Sequence, residues 1–242
     1  MKDAFKRTEL LIGADNLLKL KNSSVALFGA GGVGGFAAEA LARSGIGEIT
    51  VFDNDVIAES NLNRQIIATA DNIGEDKTEA LKKRLESINP DITVNVNKVF
   101  YLPENADAFD LSIYDYVIDA VDTVAAKLEI ITRATAAGVP VITCMGTGGK
   151  TDPAGLKVEV IEKTKGCPLA RVVRRELVKR GIKGVKAVYS EETHIMQGCA
   201  ENAEKRATGR VCPPSMIFVP GTAGLMLARE VVFDLISDKT QK

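Results

Sequence analysis

A glycine-rich turn between two apolar strands constrains this chain more than any other feature. Residues 24–28 (Ser-Val-Ala-Leu-Phe) run into Gly29-Ala30-Gly31-Gly32-Val33-Gly34, a small-residue helical stretch follows from Val33 to Arg43, and a second apolar run, Glu48-Ile49-Thr50-Val51-Phe52, ends at Asp53. Strand, G-x-G-x-x-G turn and helix in that order present backbone N–H groups and a helix N-terminus that favour an anion. Asp53 follows Gly34 by 19 residues, at the end of the second strand, where a carboxylate accepts hydrogen bonds from ribose hydroxyls. Together they predict a nucleotide site; the alternative is a glycine turn that only packs helix on strand.

The rhythm continues along the chain. A charged helix from Asp76 to Ser87 stops at Asn89-Pro90, Ile92 to Val96 alternates as a third strand, and Tyr116-Val117-Ile118 reads as a fourth. Val124 to Ala137 reads as a helix and Val139 to Thr143 as a fifth strand. Alternating strands and helices predict a parallel sheet covered on both faces. After Gly146-Thr147-Gly148-Gly149 the pattern changes to a strand at Leu156 to Ile161 and a basic helix at Pro168 to Lys179. A polar stretch, Ser190 to Arg210, is too long for an ordinary connection, and a buried strand then leads into a C-terminal helix, Gly221 to Ile236. The predicted class is α/β and Rossmann-like, mostly parallel, with the C-terminal part adding antiparallel strands. Residues 1–242 form one domain: a nucleotide-binding core in 1–160, then the basic helix, crossover loop and C-terminal strand and helix in 161–242.

Composition narrows the class. With 45% hydrophobic and 26% charged residues the chain is ordinarily globular. Its four cysteines, at 144, 167, 199 and 212, include no C-x-x-C pair, which excludes the usual zinc and thioredoxin spacings and reads as reduced thiols of a cytoplasmic protein. The charged beginning has no signal-peptide core, and Pro213, Pro214, Pro220, Gly221 and Gly224 break the longest uncharged run, so no membrane segment is expected. Although the formal net charge is -1, Lys163, Lys165, Arg171, Arg174, Arg175, Lys179, Arg180, Lys183 and Lys186 face a single acid, Glu176, within one segment. Such a patch is the electrostatic footprint for a nucleic-acid backbone, with Arg171, Arg174, Arg175, Lys179 and Arg180 as the candidates to bind it. A solvated face or a dimer-contact helix is the alternative.

The residues after Asp53 do not suit a nicotinamide dehydrogenase. Asp53-Asn54-Asp55-Val56 is followed by Ser60-Asn61-Leu62-Asn63-Arg64-Gln65 and then Lys77. An arginine and a lysine beside the ribose-binding strand suit a triphosphate, which makes ATP the expected nucleotide. On spacing alone, Lys77 could equally be a solvated residue of a helix's first turn, and Arg64 could pair with Asp55.

These segments, with Asp119-Ala120-Val121-Asp122, resemble the adenylating domain shared by ubiquitin-activating enzymes and their bacterial relatives of thiamin and molybdopterin synthesis. The resemblance implies that Gly29, Gly31, Gly32 and Gly34 cradle phosphate, with Asp53 and Asp55 beside the nucleotide. It implies that Arg64 and Lys77 bind the triphosphate, that Asn61 and Gln65 line the site, and that Asp122 holds Mg. It also implies a homodimer in which Arg7 reaches the partner's ATP. The start Phe5 to Gly13, the segment Gly146-Thr147-Gly148-Gly149-Lys150-Thr151-Asp152-Pro153 and the ending Phe218 to Leu225 resemble one branch, the tRNA threonylcarbamoyladenosine dehydratases. The zinc-binding C-x-x-C pairs of the sulfur-carrier activators are missing.

The expected activity is therefore ATP-dependent cyclisation of threonylcarbamoyladenosine in the tRNA anticodon loop. The alternative is adenylation of the C-terminal Gly-Gly of a ubiquitin-like sulfur carrier. The resemblance admits a cysteine-desulfurase or sulfur-acceptor partner and a monovalent cation at the Gly146 to Gly149 loop; the residues themselves specify neither. Cys199 and Cys212 lie where some activators keep a thioester-forming cysteine, with His194 as the single histidine near them. Cyclisation of an activated carboxylate requires no covalent cysteine.

Overall fold

The computed structural model describes residues 4–193 and 213–237. Seven strands form one sheet in the order β3-β2-β1-β4-β5-β7-β6. They are β1 (Ser24–Phe28), β2 (Glu48–Phe52), β3 (Thr93–Asn97), β4 (Tyr116–Asp119), β5 (Val141–Cys144), β6 (Leu156–Val160) and β7 (Lys186–Ser190). All neighbouring pairs are parallel except β6 with β7. The carboxyl ends of β1, β2, β4, β5 and β7 consequently share one edge, and the strand order reverses between β1 and β4, where ligands bind in open α/β sheets.

Helices cover both faces, because each central strand is apolar on both sides. Val25 and Leu27 of β1 face α2 (Ala14–Lys21), α3 (Gly34–Ser44), α4 (Lys77–Ile88) and α7 (Phe218–Ile236), preceded in the chain by α1 (Lys6–Ile12). Ala26 and Phe28 face α5 (Val124–Ala136) and α6 (Pro168–Lys179), with Phe28 and Phe52 stacked at 4.3 Å. The edge strand β3 alternates, its Val94 buried between exposed Thr93 and Asn95.

The parallel core follows the sequence expectation closely, but four elements do not. α1 and α2 were not anticipated, nor was β7, whose first residue belongs to the basic run. The buried strand expected before the last helix does not form between 213 and 217; the chain is already helical from Phe218. Pro220 falls in the helix's first turn, where its missing N–H costs nothing. Gly221 and Gly224, which read as interruptions, lie inside the helix. A Cβ on Gly224 would come within 2.3 Å of Val33 O, so the glycine is what lets α7 lie directly on α3.

Candidate functional site

The glycine loop is shaped by two close approaches. Gly29 has φ +95°, and a Cβ there would come within 2.8 Å of Ala120 O, so only glycine combines that backbone with the contact. A Cβ on Gly34 would fall 1.8 Å from Gly29 O. Gly32 lies beside Arg64 and Pro220, whereas Gly31 meets only the Gln65 amide at 3.9 Å, leaving its backbone open to a ligand. The loop therefore runs from β1 into the N-terminus of α3, with Gly29 N donating to Phe52 O at 2.8 Å and Ala30 N to Asp53, so an anion would meet the amides nearer the start of the helix.

Asp53 stands at the carboxyl end of β2 and holds that loop. Its Oδ2 accepts from Ala30 N at 2.7 Å and its Oδ1 from Asp55 N at 2.8 Å. Burial pushes its carboxyl up, against the opposing pull of Lys77 and these two amides. Each oxygen keeps a lone pair, so Asp53 can serve the loop and a ribose together.

Lys77 resolves one alternative left open by spacing. It is not solvated: its side chain is 7% exposed and its Nζ lies 2.7 Å from Asp55 Oδ2, while Asp55 remains 59% exposed. Arg64 donates instead to Ser60 O at 2.7 Å and Asn63 Oδ1 at 2.9 Å. Asn61 is buried and accepts from Ala58 N, which shapes the turn carrying Arg64. Gln65 is also buried, and its Oε1 has no partner. A buried acceptor left unpaired costs about 1–3 kcal/mol, so this one is suited to receive a hydrogen bond from a ligand or water.

Asp122 is exposed at the end of the β4–α5 loop. Beneath it is a group that the sequence did not reveal. Asp119 and Lys127 are both 0% exposed, with Lys127 Nζ 2.7 Å from Asp119 Oδ2. Lys127 also donates to Thr143 Oγ1 at 3.1 Å and Cys144 O at 3.0 Å, and Thr143 Oγ1 donates to Asp119 Oδ2 at 2.5 Å. Asp119 Oδ1 accepts from Val121 N at 3.2 Å, tying the network to the residue before Asp122. The available signal was Lys127 itself, a lysine among the apolar residues that α5 buries.

No cluster of three or more potential metal ligands occurs among the described residues. Asp122 offers one exposed carboxylate, a ligand of the kind Mg takes together with waters and phosphates. Arg7 is not brought to this site within one chain. Phe5 lies against the position of Gly45, at the far end of α3, roughly 16 Å from the glycine loop.

In the basic segment Arg171, Arg175 and Lys179 are exposed on α6. Arg174 is turned in, donating to Thr164 O at 2.7 Å, and Arg180 donates to Thr132 Oγ1 at 2.8 Å. Lys186 leaves the patch altogether for Glu230 and Asp234 of α7. Cys144 and Cys167 are buried free thiols, and burial pushes Cys144 up to about 12, far from a reactive thiolate. His194, Cys199 and Cys212 lie outside the described residues, as does most of the 190–210 stretch. No helix among the described residues is long and apolar enough to cross a membrane.

Comparison with known proteins agrees with this fold. A tRNA threonylcarbamoyladenosine dehydratase of Bacillus subtilis strain 168 is 41% identical over 241 residues, covering 97% of this chain and 95% of that protein. One from Haemophilus influenzae is 36% identical over 238 residues, covering 93% and 90%. The crystal structure of Escherichia coli tRNA N6-threonylcarbamoyladenosine dehydratase, TcdA, in complex with ATP superposes with a TM-score of 0.86 at 33% identity, over 97% of this chain and 94% of that one. The ThiF family model matches residues 5–241, and the chain belongs to the ThiF family.

Proposed function

We propose that this chain activates the carboxylate of threonylcarbamoyladenosine in the tRNA anticodon loop with ATP and closes it to the cyclic nucleoside. The observation that carries the reading is nearly end-to-end similarity to proteins of that name, at 41% identity over 97% of the chain. A TcdA crystal structure in complex with AMP is as similar as the ATP complex, with a TM-score of 0.87, which supports an adenylate rather than an acyl phosphate.

In this reading a carboxylate oxygen attacks the α-phosphorus and pyrophosphate leaves. An internal nitrogen or oxygen of the threonylcarbamoyl group then attacks the acyl carbon, its proton is lost and AMP departs with the carboxylate oxygen. The nucleoside has lost one water, whose oxygen ends in AMP. Two anions must meet in the first step, so the site's task is to supply cations and alignment. Lys77 releases Asp55 for the triphosphate, Arg64 adds a second charge, the glycine loop Gly29 to Gly34 cradles the phosphates with the amides at the start of α3, and Asp53 takes the ribose. Asp122 is the residue that would hold Mg, which when bound neutralises phosphate charge. Arg171, Arg175 and Lys179 track the tRNA backbone, with Arg174 and Arg180 holding the helix in place. Arg7 acts on the nucleotide of a second copy in a cytoplasmic homodimer.

The test incubates the protein with Mg-ATP and tRNA bearing threonylcarbamoyladenosine and weighs the nucleoside after mild digestion. ATP-dependent loss of one water is expected. An unchanged nucleoside, from protein that binds ATP, overturns the reading and turns attention to a small protein ending in Gly-Gly.

A further inference from the structure

The segment Gly146 to Pro153 is not absorbed by the nucleotide site, yet it contains a buried charge. Gly149 has φ +68°, a left-handed turn, and Lys150 follows it directly. Lys150 is 8% exposed, and its Nζ donates to Ser190 O at 3.0 Å and Glu192 O at 2.9 Å. Converging backbone carbonyls are the ligands that a monovalent cation takes in proteins. Here an ammonium of the same charge, with three donors, already sits on them.

The surrounding groups reciprocate. The Glu192 carboxylate turns back to the lysine's own segment, accepting from Thr151 N at 2.8 Å, Thr151 Oγ1 at 3.0 Å and Asp152 N at 3.2 Å. These bonds, with the Lys150 charge adding to them, hold its carboxyl below the usual range. The same loop grips a second stretch: Gly149 N donates to Pro214 O at 2.6 Å, and Pro213 fills the space beside Gly148. One residue further on, Ser215 O accepts from Asn63, the neighbour of Arg64, at 2.9 Å. Lys150 thus fastens residues 190–192 to the loop that also receives 213–214 at the margin of the nucleotide site.

We infer that Lys150 is a built-in cation, a positioning residue whose tethered ammonium does the work of a monovalent ion at this loop. The carbonyls present therefore do not fit a dissociable ion, because a free one would have to displace a charge held at high effective concentration by its own chain. The enzyme is then indifferent to which monovalent salt surrounds it.

The test reads unfolding midpoints without nucleotide, in buffers of matched ionic strength containing only potassium, only sodium or only choline. Wild-type midpoints should coincide in all three. Lys150→Met leaves two carbonyls without a donor, so its midpoint in choline should fall by about 3–10 °C and recover in potassium or ammonium. Lys150→Arg, which keeps a tethered charge, should stay indifferent to the salt. A wild-type midpoint that drops in choline overturns the inference. So does Lys150→Met as stable as wild type in choline, or one that no small cation restores. Should the Met variant not fold, the wild-type series and Lys150→Arg still decide. Turnover of modified tRNA should follow the same salt pattern in Lys150→Met. That last arm rests on the proposed function: absence of turnover in wild type strikes that function, whereas turnover without a cation effect in Lys150→Met strikes the role of Lys150.

Discussion

Two buried lysines sit at the same edge of the sheet, each 2.7 Å from an aspartate, and only one of them is built to let go. Lys77 pairs with Asp55, an acid 59% exposed, whereas Lys127 pairs with Asp119 where both are 0% exposed and Thr143 and Cys144 O complete the shell. Because Asp55 can return to water, the Lys77 ammonium can exchange a carboxylate for a phosphate at little cost. Asp119 has no such refuge, and removing one charge of a sealed pair strands the other. An ion pair open on one side is free to exchange its partner; one closed on all sides is a strut beneath the loop carrying Asp122.

The widest separation between the two should come from Lys127→Met, which is expected to cost about 3–5 kcal/mol of stability, measured by denaturant unfolding. Adding Asp119→Asn should restore part of the loss, and a double variant no more stable than the single would break the strut reading. Lys77→Met should do the opposite. Its unfolding free energy should change by no more than about 1 kcal/mol, while kcat/KM for ATP falls by about a hundredfold or more in steady-state kinetics. Asp122→Ala should leave the melting curve in place and abolish Mg-dependent turnover; full activity at any Mg concentration would remove it from the site. The smallest effect is expected farthest from both lysines. Replacing Arg171, Arg175 and Lys179 by Ala should weaken tRNA binding and flatten its logarithmic salt slope by up to about 3, without changing ATP affinity.

Much of the nucleotide half was legible because its signals are local. The glycine turn, Asp53 and the strand ends lie within a few residues of the groups they shape, and the helix Pro168–Lys179 begins and ends as read. What escaped depends on distant partners. Lys186 looks like one more basic residue until Glu230 and Asp234 take its ammonium, and the short segment after Gly184 becomes β7 only by pairing between the distant β5 and β6. Gly221 and Gly224 fall within the helix expected from Gly221 to Ile236, but the close approach of α3 that keeps a side chain off them was not legible. Likewise nothing near Lys127 announces Thr143, and nothing near Lys150 announces the carbonyls of 190 and 192. Arg64 and Lys77 were recognised as a pair of cations, but which of them meets Asp55 required the fold of residues 53–77.

The contact of Gly224 with Val33 also sets an order of assembly. Every side chain assigned to ATP within this chain is in place by residue 122, yet the helix that backs the glycine loop spans Phe218–Ile236. Chains fold as they are synthesised, earlier parts first. The ribosome therefore completes the phosphate loop about 180 residues, and the last of these side chains about a hundred, before it reaches the wall that supports them, and a nascent chain carries the whole ATP motif in sequence while still lacking a rigid pocket for ATP.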